Sequence, residues 1–437
     1  MPQTGSCRLK LTYSTRQIFA SSAWVAAYRM VRMVAAFGVA VWVARYLGPE
    51  QYGMLSYAVA LVVLVMGITG PGLKDVVTRQ LDAFPLRRAA TIHAAFRLML
   101  LLNAAMLLAA LVLILLLRPD TPVLWLITGI IAIGNLFRAF EAYELWYHFR
   151  LKMSSTVLVQ AASFFSFAFI KLWIIWWDGG LIWISVATGA ELVGSAFGFW
   201  LLYQKDPPET QAPQTGGRFQ LEKLIFRKSL PVMGGLLFMT LLFKADQLML
   251  GRLSGDAEVG FYAIAAQFSE YWLYLAAALV LASYPNLLES RKQSEARFGR
   301  ELSSLIVRLF YGALAITLVV SLTGEWLIGF FLGDAFAPSA EMLRIHIWAV
   351  VFIFMIEMLK KYYVIEHQLT AYIKISATAA LLNIGLNFWL IPLYGGIGAA
   401  WATVAAYSAA GYGLLWLFPE TRTVARLITN AVLFRST

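Results

Sequence analysis

Long apolar runs, each ended by a glycine or proline break, constrain this chain more than any other feature. About 20 consecutive apolar residues cross a bilayer as a helix, and a chain repeating that pattern a dozen times cannot hide its apolar surface from water. Breaks fall at Gly48-Pro49, Pro119 to Pro122, Gly179-Gly180, Ser254-Gly255-Asp256 and Pro392 with Gly395-Gly396. They leave twelve expected spans, at 17–46, 52–73, 95–117, 122–148, 154–177, 180–203, 229–252, 258–288, 303–323, 338–363, 370–392 and 396–418. Over 437 residues, 60% hydrophobic and 14% charged, the pattern predicts an all-α integral membrane protein.

Basic residues give the orientation. Most of the 35 Lys and Arg fall in one alternating set: the N-terminal tail, 74–97, 138–152, 205–228, 289–308, 360–374 and the C-terminal tail. The opposite set carries only Arg45, Arg118 and Arg252. By the positive-inside rule both tails are cytoplasmic, and the span count is even. The same asymmetry accounts for most of the net charge of +11, so a nucleic-acid partner is not expected. Cys7, the single cysteine, cannot form an intrachain disulfide, and the first apolar run is too long for a cleavable signal. The outer loops are short, the longest being about fifteen residues near 323–338.

The chain repeats itself. Arg45-Tyr-Leu-Gly-Pro-Glu-Gln-Tyr-Gly53 is echoed by Arg252-Leu-Ser-Gly-Asp-Ala-Glu-Val-Gly260. Glu141, Tyr147 and Gly179-Gly180 recur at constant spacing as Glu357, Tyr363 and Gly395-Gly396. Six spans per half give both halves the same orientation, so a pseudo-two-fold axis runs along the membrane normal. The expected organisation is an N-lobe over 1–203, a linker with a surface-lying basic amphipathic helix over 204–228, and a C-lobe over 229–437.

Charges inside the spans mark the functional residues, because an arginine at the bilayer centre costs about 2.5–3.5 kcal/mol and avoids lipid. Arg29 and Arg32 lie three apart near the middle of the first span, on a face close to Ser22, Ala36 and Val43. With Lys171 and Lys244 they are the expected substrate-binding cations, since fixed cations replace the water that a phosphate loses. Asp246, Glu270, Glu357 and Glu191 are candidates for coupling or cavity pairing. Lys244 and Asp246, two apart, point to different faces and need separate partners. Glu357 has Lys361 one turn away, Arg138 has Glu141, and Asn383 and Asn387 can hold helices together. Gly48, Pro49 and Gly255 are hinge candidates at the outer turns. No nucleotide-binding loop, metalloprotease or hydrolase motif occurs, and the four histidines have no metal-ligand spacing. Neither a catalytic residue, a metal nor a cofactor is expected.

Two stretches carry a resemblance: Ala44 to Gly53 with the following Tyr57-Ala-Val-Ala60, and Lys244-Ala-Asp-Gln-Leu-Met-Leu-Gly251. With twelve spans in two lobes, the chain resembles Wzx-type polysaccharide transporters, the oligosaccharide-lipid flippases of the MATE-like (MOP) superfamily. The resemblance implies two lobes around a central cavity and alternating access. It further implies transfer of an undecaprenyl-diphosphate-linked oligosaccharide across the bacterial inner membrane, with Arg29 and Arg32 facing the cavity. Membrane lipids, H+ or Na+ as coupling ion, and a polysaccharide polymerase with its chain-length regulator are the partners it brings with it. The rival readings are a MATE-type drug or cation antiporter, whose cavity would favour acidic groups, and a polysaccharide polymerase or ligase, which needs a larger outer loop.

Overall fold

The computed structural model describes residues 15–67, 69–208 and 218–434. Among them every regular element is helical. Helix α1 (Thr15–Met66) contains a break at Gly48, where φ is +70°. It is followed by α2 (Thr69–Ala83), α3 (Arg88–Leu117), α4 (Pro122–Leu136), α5 (Glu141–Phe149), α6 (Met153–Trp176) and α7 (Gly180–Lys205). The second half holds α8 (Arg218–Leu253), α9 (Asp256–Glu270), α10 (Trp272–Gln293), α11 (Glu295–Leu332), α12 (Pro338–His346), α13 (Ala349–Ile365), α14 (Leu369–Gly411) and α15 (Arg422–Val432). Within α14 a second break falls at Gly395.

Among the described residues nine helical segments are long and apolar enough to cross a bilayer, and α12 with α13, bent by 44°, makes a tenth. Two of the nine contain the Gly48 and Gly395 breaks. The outside of the molecule is apolar, with Leu101, Leu116, Trp176, Leu322 and Phe388 exposed. That is the surface of a multi-pass membrane protein, where lipid rather than water covers the side chains.

Several boundaries differ from the sequence expectation. The basic run at 219–228 does not form a surface helix of its own; it opens α8, which continues through Pro231 to Leu253. Its position is set by packing: Glu222 pairs with Arg97 of α3 at 2.7 Å, and Ile225 is buried among Leu73, Val77, Ile92 and Ala95. The outer loop placed at 323–338 is mostly helix, because α11 runs to Leu332 and stops at Gly333, where φ is +75°. The second span, expected to end at 73, is interrupted earlier, α1 ending at Met66 and α2 starting at Thr69.

The repeated nonamers meet each other. Gly48 and Gly255 occupy equivalent repeat positions and share one backbone conformation (φ, ψ of 70°, 174° and 95°, 173°), which favours glycine. Each precedes a helix that crosses the other at a glycine. A Cβ on Gly53 would lie 1.8 Å from the Asp256 carbonyl oxygen, and one on Gly260 would lie 2.0 Å from that of Pro49. Pro49 and Asp256 are themselves repeat equivalents, so the contact is reciprocal. Around it Arg118 donates to both carboxylate oxygens of Asp256, at 3.0 and 2.9 Å, and to the Gly251 carbonyl at 2.6 Å. Tyr46 binds Asp178 and the Gly180 amide, while Glu258 accepts from the Gly396 amide at 2.7 Å. These bonds gather the loops poor in Lys and Arg at one end. Bonds of the basic loops, Arg150 and Lys152 to Asp206, Arg291 to Glu366 and Lys374 to Glu420, gather at the other.

Candidate functional site: a charged cavity between the halves

Below the glycine crossing lies a cavity of about 790 Å³, walled by α1, α6, α7, α8, α9 and α10. Of the stripe expected on the first helix, Arg32, Ala36 and Val43 line it, joined by Val39 and by Tyr28 one turn before Arg32, while the Ser22 side chain lies outside the described residues. The Arg29 side chain lies outside the described residues. Lys171, Glu191, Lys244 and Glu270 all reach the cavity, so three of the four predicted cations and two of the four predicted acids are brought together.

The lysines have no local partner in sequence, and their partners come from other helices. Glu191 of α7 serves two of the cavity cations, its Oε2 lying 3.1 Å from Lys171 Nζ and its Oε1 3.7 Å from Arg32 Nη2. Lys244 is held by Glu270 at 3.1 Å. The partners sit on other helices, where spacing within one helix could not reveal them. Among the described charged lining residues, three cations face two carboxylates, leaving a net positive wall. Arg32 also lies 5.4 Å above the Phe164 ring, which supports the planar guanidinium.

The other two predicted acids are elsewhere. Asp246 points away from Lys244, as the two-residue spacing requires, and is 2% exposed. Tyr262 and Thr403 donate to it, as does the Gln247 amide at 2.7 Å. Glu357 pairs with Lys360 rather than with Lys361, which lies over the Tyr284 ring; the i,i+3 partner is the one that turns toward it. Asn387 donates to Asn383 along α14 at 2.9 Å instead of across to another helix.

Sequence reasoning missed the polar wall. Gln247 follows Lys244 at i+3, and Gln267 precedes Glu270 at i+3; that periodicity beside an intramembrane charge was the available signal. Tyr52 donates to Gln267 at 3.1 Å, joining the two halves at the top of the cavity. It also missed the cluster formed by α2, α5 and the 3-10 turn that joins α4 to α5. The Arg138–Glu141 pair was expected (2.8 Å), but Lys74 joins it at 2.8 Å and reaches Glu144 at 3.6 Å. Cavity-lining Gln160 donates to Glu144 at 2.7 Å, linking this cluster to the cavity wall. Gly194 and Gly198, a weak helix-packing motif, are used as such: Cβ atoms there would strike Ser163 and Val159 of α6.

Solved structures share this architecture. The lipid II flippase MurJ, in an inward closed conformation, superposes with a TM-score of 0.72 at 13% identity, over 95% of this chain and 91% of that one. A multidrug resistance MATE family transporter of the MOP superfamily, inward-facing, gives 0.70 at 15% identity, over 93% and 99%. An outward-facing form so described gives 0.61 at 14% identity, over 94% and 96%. At such identities the likeness assigns the fold. No curated protein sequence is significantly similar. The family model for polysaccharide biosynthesis proteins matches residues 18–291, more than half of the chain, so the chain belongs to the polysaccharide biosynthesis protein family.

Proposed function

We propose that this protein is a flippase that carries an undecaprenyl-diphosphate-linked oligosaccharide, a repeat unit of O-antigen, capsule or exopolysaccharide, across the bacterial inner membrane by alternating access. One observation carries the reading: in a chain of this family, Arg32, Lys171 and Lys244 converge from three helices on one large cavity. A diphosphate passing through a low-dielectric interior needs fixed cations, and arginine adds a bidentate contact. The printed activity of MurJ, a lipid II flippase, is of the same kind. Arg29 belongs to the cation set by its place on α1.

Splitting the α1 and α14 segments at Gly48 and Gly395 turns ten passes into twelve, six in each half, with both termini cytoplasmic. In this arrangement residues 1–203 form one lobe, 229–437 the other, and 204–228 the connection. The lobes rock about the glycine crossing, with Gly48, Pro49 and Gly255 at the pivots. The present form is read as facing inward, with the glycine crossing as the outer closure. Of the four acids, Asp246 has no basic side chain within ion-pair distance among the described residues, and it is the one assigned to coupling with H+ or Na+. Glu191 and Glu270 pair the cavity cations, and Glu357 braces α13. A polysaccharide polymerase and its chain-length regulator are the downstream partners. A drug or cation antiporter is the alternative that shares the fold, and a net positive wall disfavours it.

The test is Arg32→Ala and Lys171→Ala in the native host. Surface glycan should be lost while the protein stays in the membrane at normal level, and Arg32→Lys should restore it in part. Normal glycan export in both variants would refute the reading.

A further inference from the structure

Glu191 is placed where a simple cation trap would have no carboxylate. Its two oxygens face two different cations, one from α1 and one from α6, and all three groups line the cavity. The contacts are unequal. Lys171 is at hydrogen-bond distance with a side chain 13% exposed, whereas Arg32 stands off at 3.7 Å and is 44% exposed. Across the cavity Glu270 pairs with a single cation, Lys244.

We propose that Glu191 is a built-in competitor for the substrate diphosphate: its carboxylate occupies the anion position between Arg32 and Lys171, yields it to a phosphate on loading, and reclaims it on release. This rests on the flippase reading and adds to it. A diphosphate diester carries two negative charges against one on the carboxylate, so exchange favours the substrate. A monovalent anion gains nothing over the internal partner, and the cavity thereby discriminates against the small anions of the cytosol. The loosely held, exposed guanidinium makes the first contact, and its planar fork accepts a phosphate without releasing Glu191. Lys171 changes partner second. Without the carboxylate two adjacent cations would bind diphosphate too well to let it go, which raises affinity and lowers turnover together.

The experiment compares wild type, Glu191→Gln, Glu191→Asp and Glu270→Gln in nanodiscs. It measures binding of inorganic pyrophosphate and inorganic phosphate, the melting temperature, and flux of a short-chain prenyl-diphosphate oligosaccharide in proteoliposomes. Glu191→Gln, isosteric and neutral, should bind pyrophosphate about 10-fold more tightly, a modest fraction of the attraction between unit charges at this spacing. Its selectivity over phosphate should fall and its flux should drop. Glu191→Asp keeps the charge but withdraws it by one methylene, so its pyrophosphate affinity should fall between those of wild type and Glu191→Gln, and Glu270→Gln should shift affinity in the same direction, which keeps the test open if Glu191→Gln fails to fold. Equal or weaker pyrophosphate binding in a normally melting Glu191→Gln would overturn the competitor role and leave the flippase reading intact. Absence of pyrophosphate binding in every protein, with no flux in the wild type, would overturn both.

Discussion

Arg118 is the side chain whose loss should most directly unseal the outer end. It joins α3 of the first half to Asp256 and Gly251 of the second through three hydrogen bonds, and its guanidinium lies 5.5 Å over the Tyr57 ring. The Arg118 and Asp256 side chains are 11% and 9% exposed. Removing one partner of a buried pair costs about 3–5 kcal/mol, because the other charge is left uncompensated. Here Asp256 also opens α9, whose amide groups retain part of its stabilisation. The penalty on the sealed form of Arg118→Met is then about 2 kcal/mol, a shift of about 30-fold toward the outward-open form. Cavity-lining Ala263 reports it: in a Cys7→Ser, Ala263→Cys background, an impermeant maleimide added to intact cells should label Arg118→Met up to about 30-fold faster than the parent. Adding Asp256→Asn removes the stranded charge and should return part of the protection. An unchanged rate in Arg118→Met would mean that the glycine crossing alone seals the cavity and that the ion pair is incidental.

At α13, exchanging Glu357 and Lys360 should recover the melting temperature lost in either single alanine variant, whereas exchanging Glu357 with Lys361 should not. Gly48→Val forces a branched residue into a backbone conformation (φ 70°, ψ 174°) that only glycine adopts readily, at a cost of about 1–3 kcal/mol; combined with Pro49→Ala it should slow flux in proteoliposomes without abolishing pyrophosphate binding. Gly255→Val should act in the same way but more weakly, and unchanged flux in the Gly48/Pro49 variant would reduce these residues to turn formers. Single cysteines near Glu50, Pro119 and Gly255 should react with an impermeant thiol reagent from outside, while those near Arg88 and Lys292 stay protected; the reverse pattern would invert the topology.

The cavity face was legible because the bilayer makes charge expensive. Arg32, Lys171 and Lys244 stood out for that reason alone, and the two-residue offset sending Lys244 and Asp246 to different environments follows from helix geometry. Pairing across helices was not legible. Nothing near Lys171 in sequence points to Glu191, and nothing near Arg118 points to Asp256. Helix ends were misjudged wherever tertiary contacts outrank hydropathy: Glu222 and Ile225 dock polar turns of α8 on the first half. The amphipathic start of that helix reads as a surface element when its docking site is unseen.

The glycine crossing has a consequence for how such a chain is assembled. Gly53 rests on the Asp256 carbonyl and Gly260 on that of Pro49, so each repeat offers the same knob and the same socket to the other. A self-complementary contact of this kind is what a symmetric homodimer is made from. Half of this chain already contains all the parts of the joint, and the covalent connection adds only local concentration. Two fragments, cut within residues 209–217 and co-expressed, should therefore reassemble into one working molecule. They should do so through the crossing rather than the connector, and a Gly53→Ala fragment should fail to pair with an otherwise normal partner.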